Sequence, residues 1–433
     1  MDKRITFAAA GDCFITRRLP DKDPRVREIA RLLNTADVRF ANLETTVHDR
    51  EGIPSAYSGG TWAMSEPGVL DDLTSYGFNL FNAATNHTLD YSIAGLAATE
   101  RHMKARAIRY TGAGENLRAA AAPVFHESAG GRTALIACTS TFHPSWRAGD
   151  PTATVPGRPG VHPLRYQTVH RVTPETAEHL ANAAAETDIN ADRNLLKKEG
   201  FIAADDGPGE RIYIGDAVFE AAKTPGTARR VLPEDRERLE KLVAGAKGEA
   251  DAVLVSIHSH EMAGEDKAAP ADFFTEAARA VIDAGADAVI GHGPHILRGI
   301  ELYAGKPIFY SLGNFIFQNE TVPDLPADFF QQYGLPVDTP VSAAFDARST
   351  GGKGLAYNPD VWESVIPVWE MTAGAVTAIR LYPIALGYGE PRSQRGWPKR
   401  THDAGPVEKL KELSAPFGTE ITVHADGTGE VLL

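Results

Sequence analysis

The residues best suited to chemistry lie between positions 283 and 318. The chain there reads Asp283-Ala-Gly-Ala-Asp-Ala-Val-Ile-Gly-His-Gly-Pro-His295, then Gly299-Ile-Glu-Leu-Tyr303, then Pro307-Ile-Phe-Tyr-Ser-Leu-Gly-Asn-Phe-Ile-Phe-Gln318. Two β-rich apolar runs, residues 288–290 and 308–310, each end in a Gly-punctuated polar cluster. One cluster presents His292 and His295, the other Asn314. Four more apolar runs end the same way: in Asp12, in Glu44, in Asn86-His87, and in His258, His260 and Glu261. Imidazoles, carboxylates and carboxamides move protons and ligate metals. A single strand-end Asp or Asn is commonly a turn or helix cap, and a single His is commonly structural. Six such ends together predict one shared site, because strand C-termini are where α/β proteins bind ligands.

The elements that position these groups alternate in type. Strands are expected over residues 5–10, 38–43, 80–84, 133–138, 251–257, 288–290 and 308–310. Helical spacing is expected over 25–33, 70–76, 93–105 and 270–284. Such alternation predicts an α/β fold in one catalytic domain spanning 1–433. Its core covers about 1–138 and 249–318. Residues 139–248 form an insertion with a polar helix near 176–198 and a β-like piece at 211–219. Residues 319–363 read as an irregular aromatic lid, and the remainder to 433 as strands added to a sheet edge.

Composition bounds the function. The chain has 433 residues, 43% hydrophobic and 23% charged, enough for a large soluble core. A net charge of −13 disfavours nucleic acid as a partner. Two cysteines, Cys13 and Cys138, give neither a disulfide framework nor a cysteine zinc site. No apolar stretch reaches about 18 residues, so no membrane span or membrane partner is expected, and the location is read as cytoplasmic.

The order Gly11-Asp12, Asn42-Leu-Glu44, Thr85-Asn-His87 with Asp90, His258 with Glu261, Gly291-His-Gly-Pro-His295 and Tyr310-Ser-Leu-Gly-Asn-Phe315 resembles the capsule-biosynthesis protein A (CapA/PgsA) family. That family lies in the calcineurin-like metallophosphoesterase superfamily. The resemblance runs from residue 5 to about 318 and implies a four-layer αββα sandwich with its site at the rim where two sheets meet. The chain departs from the superfamily pattern at several ligands. Phe14 stands where an Asp-x-His motif would place histidine, Glu44 near the place of a bridging Asp, and the closing Gly-His-x-His is stretched by one residue. These departures imply catalysis with no metal. A single divalent ion such as Mn or Zn, on Asp12, Glu44, His258, His292 and His295, is the alternative.

The overall pattern also resembles a soluble branch of the family that includes the peptide epimerase of lasso-peptide biosynthesis. The implied activity is inversion of a Cα in a ribosomal precursor peptide, at its C-terminal residue, by a base and an acid on opposite faces of the carbon. His295 and Asp12 are the expected pair. Glu44, His87, His260 and His292 complete the catalytic set, and Asn86, His258, Arg298, Asn314 and Trp362 bind substrate. Arg298, Arg348 and Arg395 are candidates for neutralising a substrate carboxylate, and Phe329, Phe330, Tyr333 and Trp362 for clasping an apolar side chain. The alternatives are a metal-dependent hydrolase of phosphoester or amide bonds, and a capsule or poly-gamma-glutamate biosynthesis protein.

Overall fold

The computed structural model describes residues 3–20, 23–202 and 211–433. Two large sheets carry the chain. The larger, of ten strands, runs in the order Ile421–Val423, Gly429–Val431, Ala375–Ala385, Glu363–Thr372, Arg4–Phe14, Val38–Leu43, Leu80–Asn82, Tyr110–Thr111. Asn314–Phe317 also pairs with Arg4–Phe14, and Lys399–Arg400 with Ala375–Ala385. The smaller has six strands in the order Leu297–Tyr303, Lys306–Leu312, Ala288–His292, Ala252–His258, Arg132–Thr139, Val124–Glu127.

Side chains alternate across a strand, and the first strand shows what that does here. Ile5, Phe7 and Ala9 enter one core, Ala8 and Ala10 another, so the strand is apolar on both faces. The first core also takes Phe40, Leu80 and Trp369 from the larger sheet and Leu135, Leu254, Ile290 and Phe309 from the smaller, so the two sheets share it. The second joins the larger sheet to Ile29 and Leu33 of helix Pro24–Leu33, Leu70 and Leu73 of Val69–Ser75, and Met103 of Ser92–Ala105. A third joins the smaller sheet to Leu239 and Val243 of Pro233–Lys247 and to Phe274 and Val281 of Asp272–Asp283.

Within each sheet the strands that end in polar clusters are parallel neighbours. Val38–Leu43 lies beside Arg4–Phe14 and Leu80–Asn82, and Ala252–His258 beside Arg132–Thr139 and Ala288–His292. Their C-terminal ends therefore share one rim.

Several segments differ from the sequence expectation. Residues 203–210 of the expected insertion lie outside the described residues. The polar helix expected over 176–198 is two helices, Pro174–Glu186 and Ala191–Lys198. They part at Thr187-Asp-Ile-Asn190, whose short polar side chains compete with the helical backbone; Thr187 bonds back to Ala183 and Asn190 to Tyr213. Both helices accompany a separate four-stranded sheet of Tyr166–Val172, Arg211–Ile214, Ala217–Ala221 and Gly226–Val231. Helix Pro233–Lys247 packs in the core of the smaller sheet, though it falls inside that expected insertion. The lid contains helices Ala327–Gln332 and Val341–Arg348. Phe329, Phe330, Phe345 and Trp362 are buried with Phe14 and Phe317, so the aromatics expected to clasp a ligand pack on one another. Among the described residues, no helix is long and apolar enough to cross a membrane.

Trp369 sits in the core between the two sheets, stacked on Phe7 at 5.0 Å and tilted against Phe309 at 5.4 Å. Trp369→Ala removes the largest fully buried side chain. The expected loss is about 3–5 kcal/mol in urea unfolding; a loss below about 1 kcal/mol would show that the sheets do not depend on this contact.

Candidate functional site

Register places the polar groups before any side-chain contact is considered. Asp12 pairs with Asn42 on one side and Asn314 on the other. His258 pairs with His292 on the adjacent parallel strand. Gly11 makes the close approach possible, because a Cβ there would meet the Gly313 carbonyl oxygen at 2.0 Å. His295 follows Gly293-Pro294 with a φ of 61°, a left-handed conformation that costs a non-glycine residue energy and tends to persist at functional sites.

Asp12 is fully buried. It accepts hydrogen bonds from Asn42 Nδ2 at 2.7 Å and the Gly293 amide at 3.1 Å. His295 Nδ1 lies 3.4 Å from it, His292 Nδ1 3.7 Å and His258 Nδ1 3.9 Å. Burial pushes its carboxyl up, but His295, His292 and the Asn42 amide more than offset this, and its pKa lies below the ordinary value. Glu44 is its opposite. It is equally buried, and neither carboxylate oxygen has a hydrogen-bond partner. Its neighbours are His258 Nε2 at 3.6 Å, His295 Nδ1 at 3.7 Å and His260 Nε2 at 4.0 Å. Burial, then repulsion from Asp12 and Asp90, raises its pKa well above the ordinary value.

The histidines are held from behind. His258 reaches His292 Nδ1 at 2.9 Å through Nδ1, and through Nε2 it reaches Asn86 Oδ1 at 2.9 Å and His260 Nε2 at 3.1 Å. His292 Nε2 meets the Ser256 hydroxyl at 2.7 Å. Burial lowers the pKa of His258 and His260 strongly and that of His292 to about 4, so all three are neutral imidazoles near pH 7, the form that binds metals. His295 Nδ1 meets Asn314 Oδ1 at 2.9 Å, and Asn314 Nδ2 donates to the carbonyls of His295 and Val361. No bond of His295 Nε2 is seen among the described residues. His87 Nδ1 meets Asp90 at 2.7 Å, and its ring abuts Phe14 edge-on at 4.9 Å.

The arrangement can be tested for a cation. Asp12, His258 and His292 offer three ligand atoms within 4.8 Å of one another, and so do Glu44, His260 and His295. Glu44 is a buried carboxylate with two unpartnered oxygens, three imidazole nitrogens beyond hydrogen-bond range and a second carboxylate nearby, a constellation that a cation would complete. These residues fit a divalent ion. His260 joins the ligand set named from sequence.

Asp12, Glu44, Asn86, His87, His258, His260, His292, His295 and Asn314 are thus brought together. Three expectations need correction. Arg298 does not meet a substrate. Its guanidinium is fully buried and donates to the carbonyls of Lys267, Ser259, His260 and Glu261, bracing the loop that carries His260. Trp362 is 3% exposed and buttresses Phe317, which itself packs against His295 at 5.0 Å. Asp12 and His295 touch, so in this arrangement no carbon fits between them. The accessible imidazole facing His295 is His260, with ring centroids 5.4 Å apart. Sequence reasoning quoted Asn42 in a motif without giving it a role and passed over Asn82; the two orient Asp12 in series, and Asn82 Nδ2 donates to Asn42 Oδ1 at 2.6 Å. Their signal was amide side chains at the ends of two buried strands.

Because the folded protein resists ionising Glu44, the unfolded chain releases that proton at lower pH than the folded one. Metal-stripped protein should therefore lose stability as pH rises through and above the ordinary carboxyl range. Glu44→Gln should flatten that decline in thermal unfolding measured across pH. An unchanged pH profile would place the strain elsewhere.

The profile of the bacterial capsule synthesis protein PGA_cap family matches residues 6–319. An uncharacterized protein of Sinorhizobium fredii is 36% identical over 97% of this chain and 91% of its own length. The capsule biosynthesis protein CapA of Bacillus anthracis is 24% identical over 73% of this chain and 60% of its own. The PGA biosynthesis protein CapA of Bacillus subtilis is 47% identical over 100 residues, 23% of this chain and 24% of its own. With the family match spanning the strands that carry every carboxylate and imidazole of the site, the chain belongs to the bacterial capsule synthesis protein PGA_cap family.

Proposed function

We propose that this protein is an enzyme acting on an amide-linked chain, a peptide or a glutamate polymer, and that its reaction is inversion of a backbone Cα by acid/base chemistry at a metal-supported site. The capsule and PGA biosynthesis named for its relatives supports the substrate class, and capsule or polyglutamate synthesis is the broader role we assign. The precursor-peptide substrate and the inversion step come from the resemblance to the epimerase branch. We read the three cores, one between the two sheets and one between each sheet and its helices, as the seams of a four-layer αββα sandwich.

The observation that carries the reading is the contrast at His295. Its Nδ1 is fixed by Asn314 and Asp12, which leaves Nε2 as the nitrogen able to take or give a proton. Asp12 steadies the imidazolium that forms, and Asn42, Asn82 and the Gly293 amide hold Asp12 in place. His260, with 28% of its side chain accessible, is the second imidazole able to meet a substrate from another direction. Phe14, Phe317 and Trp362 form an aromatic wall beside His295 that keeps water from the carbon being deprotonated. A divalent ion held by Asp12, His258 and His292 would supply charge stabilisation for the enolate oxygen that a weakly acidic Cα requires, leaving His295 and His260 to the substrate.

The second reading is metal-dependent hydrolysis of an amide or phosphoester. It is supported by the two neighbouring groups Asp12-His258-His292 and Glu44-His260-His295, each with three potential ligands, because paired ions are a common device for hydrolysis. Elemental analysis and turnover in heavy water separate the two. Inversion places deuterium at Cα and leaves the chain length unchanged, whereas hydrolysis shortens the chain or frees phosphate and leaves Cα protiated. His295→Asn should lower Cα exchange by about 10²–10⁴-fold. Chelation should abolish it, and Mn²⁺ or Zn²⁺ should restore it. A shortened product with no Cα deuterium would end the inversion reading, and full activity in protein shown to be metal-free would end the metal part of it.

A further inference from the structure

Most cations around this pocket are already spent. Arg298 serves four carbonyls, Arg395 is paired with Glu320 and lies over Trp362, and Arg17 donates to the carbonyls of Ser393 and Arg395. Lys267 differs. It lies on the short strand Asp266–Pro270, half-buried, and its backbone carbonyl accepts Arg298 Nε at 3.0 Å. The same guanidinium holds the carbonyls of Ser259, His260 and Glu261, so Arg298 staples the Lys267 strand to the loop that carries His260. Among the described residues the Lys267 ammonium has neither a hydrogen bond nor an ion pair. The carboxylates whose field reaches it are Asp360 and Asp12, and both are committed, Asp360 to Lys409 and Asp12 to Asn42 and Gly293. Burial lowers its pKa, and its charge is felt at His260. A partly desolvated cation with no partner costs free energy that an incoming anion removes.

We infer that Lys267 is a carboxylate-binding subsite beside His260, which anchors a free carboxylate of the substrate next to the reacting carbon. The inference rests on the reading of this pocket as one that receives an amide-linked chain. Two sources share the chemistry, the α-carboxylate of a C-terminal residue and the side-chain carboxylate of a glutamate. Either would set the chain direction across the pocket. A terminal carboxylate would otherwise oppose loss of the adjacent Cα proton, and the ammonium offsets that charge.

The test uses four N-acetyl dipeptides with purified metal-loaded protein: Glu-Trp acid, Glu-Trp amide, Gln-Trp acid and Gln-Trp amide. The aromatic wall beside His295 motivates the Trp. Calorimetric binding to wild type should favour at least one singly charged peptide over Gln-Trp amide by about tenfold or more. Whichever of Glu-Trp amide or Gln-Trp acid carries the preference names the carboxylate source. Lys267→Met should level the four affinities, and Lys267→Arg should keep most of the preference. Unchanged circular dichroism and melting temperature exclude misfolding of either variant. A preference that survives in Lys267→Met, no preference in wild type, or no binding of any of the four would overturn the inference. Cα exchange in heavy water is read separately on a longer peptide, so the subsite can fail while the reaction stands, and the reaction can fail while the subsite stands.

Discussion

Two carboxylates, Asp12 and Glu44, are buried side by side with no bulk water to solvate them. This is the constraint the rest of the structure answers. Ionised carboxylates out of water cost several kcal/mol each unless charge or hydrogen bonds compensate. Asp12 receives that compensation from two donors and nearby imidazoles; Glu44 receives none from hydrogen bonds. The asymmetry makes the site selective for positive charge. Four histidines surround the pair, and burial keeps His258, His260 and His292 neutral, so they bring ligand nitrogens without bringing charge. Folding has stored a deficit of positive charge at one rim.

Holding such a deficit requires a stiff frame, and both sheets supply it. The pocket draws Asp12, Glu44 and Asn86 from the larger sheet and its loops, and His258 and His292 from the smaller. Its geometry is therefore fixed by how closely the sheets approach. Gly11 against the Gly313 carbonyl, in the turn that joins Lys306–Leu312 of the smaller sheet to Asn314–Phe317 of the larger, is a point where only a missing Cβ permits that approach. The chain also tolerates a left-handed His295 there, held by Asn314 on both its ring and its carbonyl. Strain at a residue braced in this way is characteristic of groups whose direction matters more than their comfort.

The departures from the superfamily pattern look different in three dimensions. Phe14 packs edge-on against His87 and against Phe317, and so extends an apolar wall to the edge of the imidazole cluster. A phenyl ring in that place excludes water from the edge of the cluster where an imidazole would have offered a ligand. His260 brings a further imidazole to the cluster from another loop. That loop stays in place because Arg298 and the Ser140, Thr141 and Glu261 contacts pin it.

The strands that carry the site, and the rim where their polar ends meet, were legible in the residues alone. Strand Val38–Leu43 was legible to the residue, and the ends at Asp12, His258 and His292 followed, because buried parallel strands are unbroken apolar runs whose polar successors stand out. Convergence of six polar ends was legible because parallel strands deliver their C-termini to one side. What each side chain does once there was decided by the tertiary structure. Arg298, Trp362 and His260 are all polar-capable residues near the same motifs. Only packing distinguishes a guanidinium spent on carbonyls, an indole buttressing another ring, and an imidazole left facing the pocket. The helices of the lid and helix Pro233–Lys247 were likewise hidden, since short helices among loop residues owe their stability to the aromatic and aliphatic surfaces they cover and leave little local periodicity. Asp12 was expected to pair with His295 and Glu44 only to complete the catalytic set, and nothing in the sequence shows that the two acids titrate in opposite directions. Their opposite protonation tendencies come from donors contributed by Asn42, Gly293 and His295, which chain order separates and only the meeting of two sheets brings together.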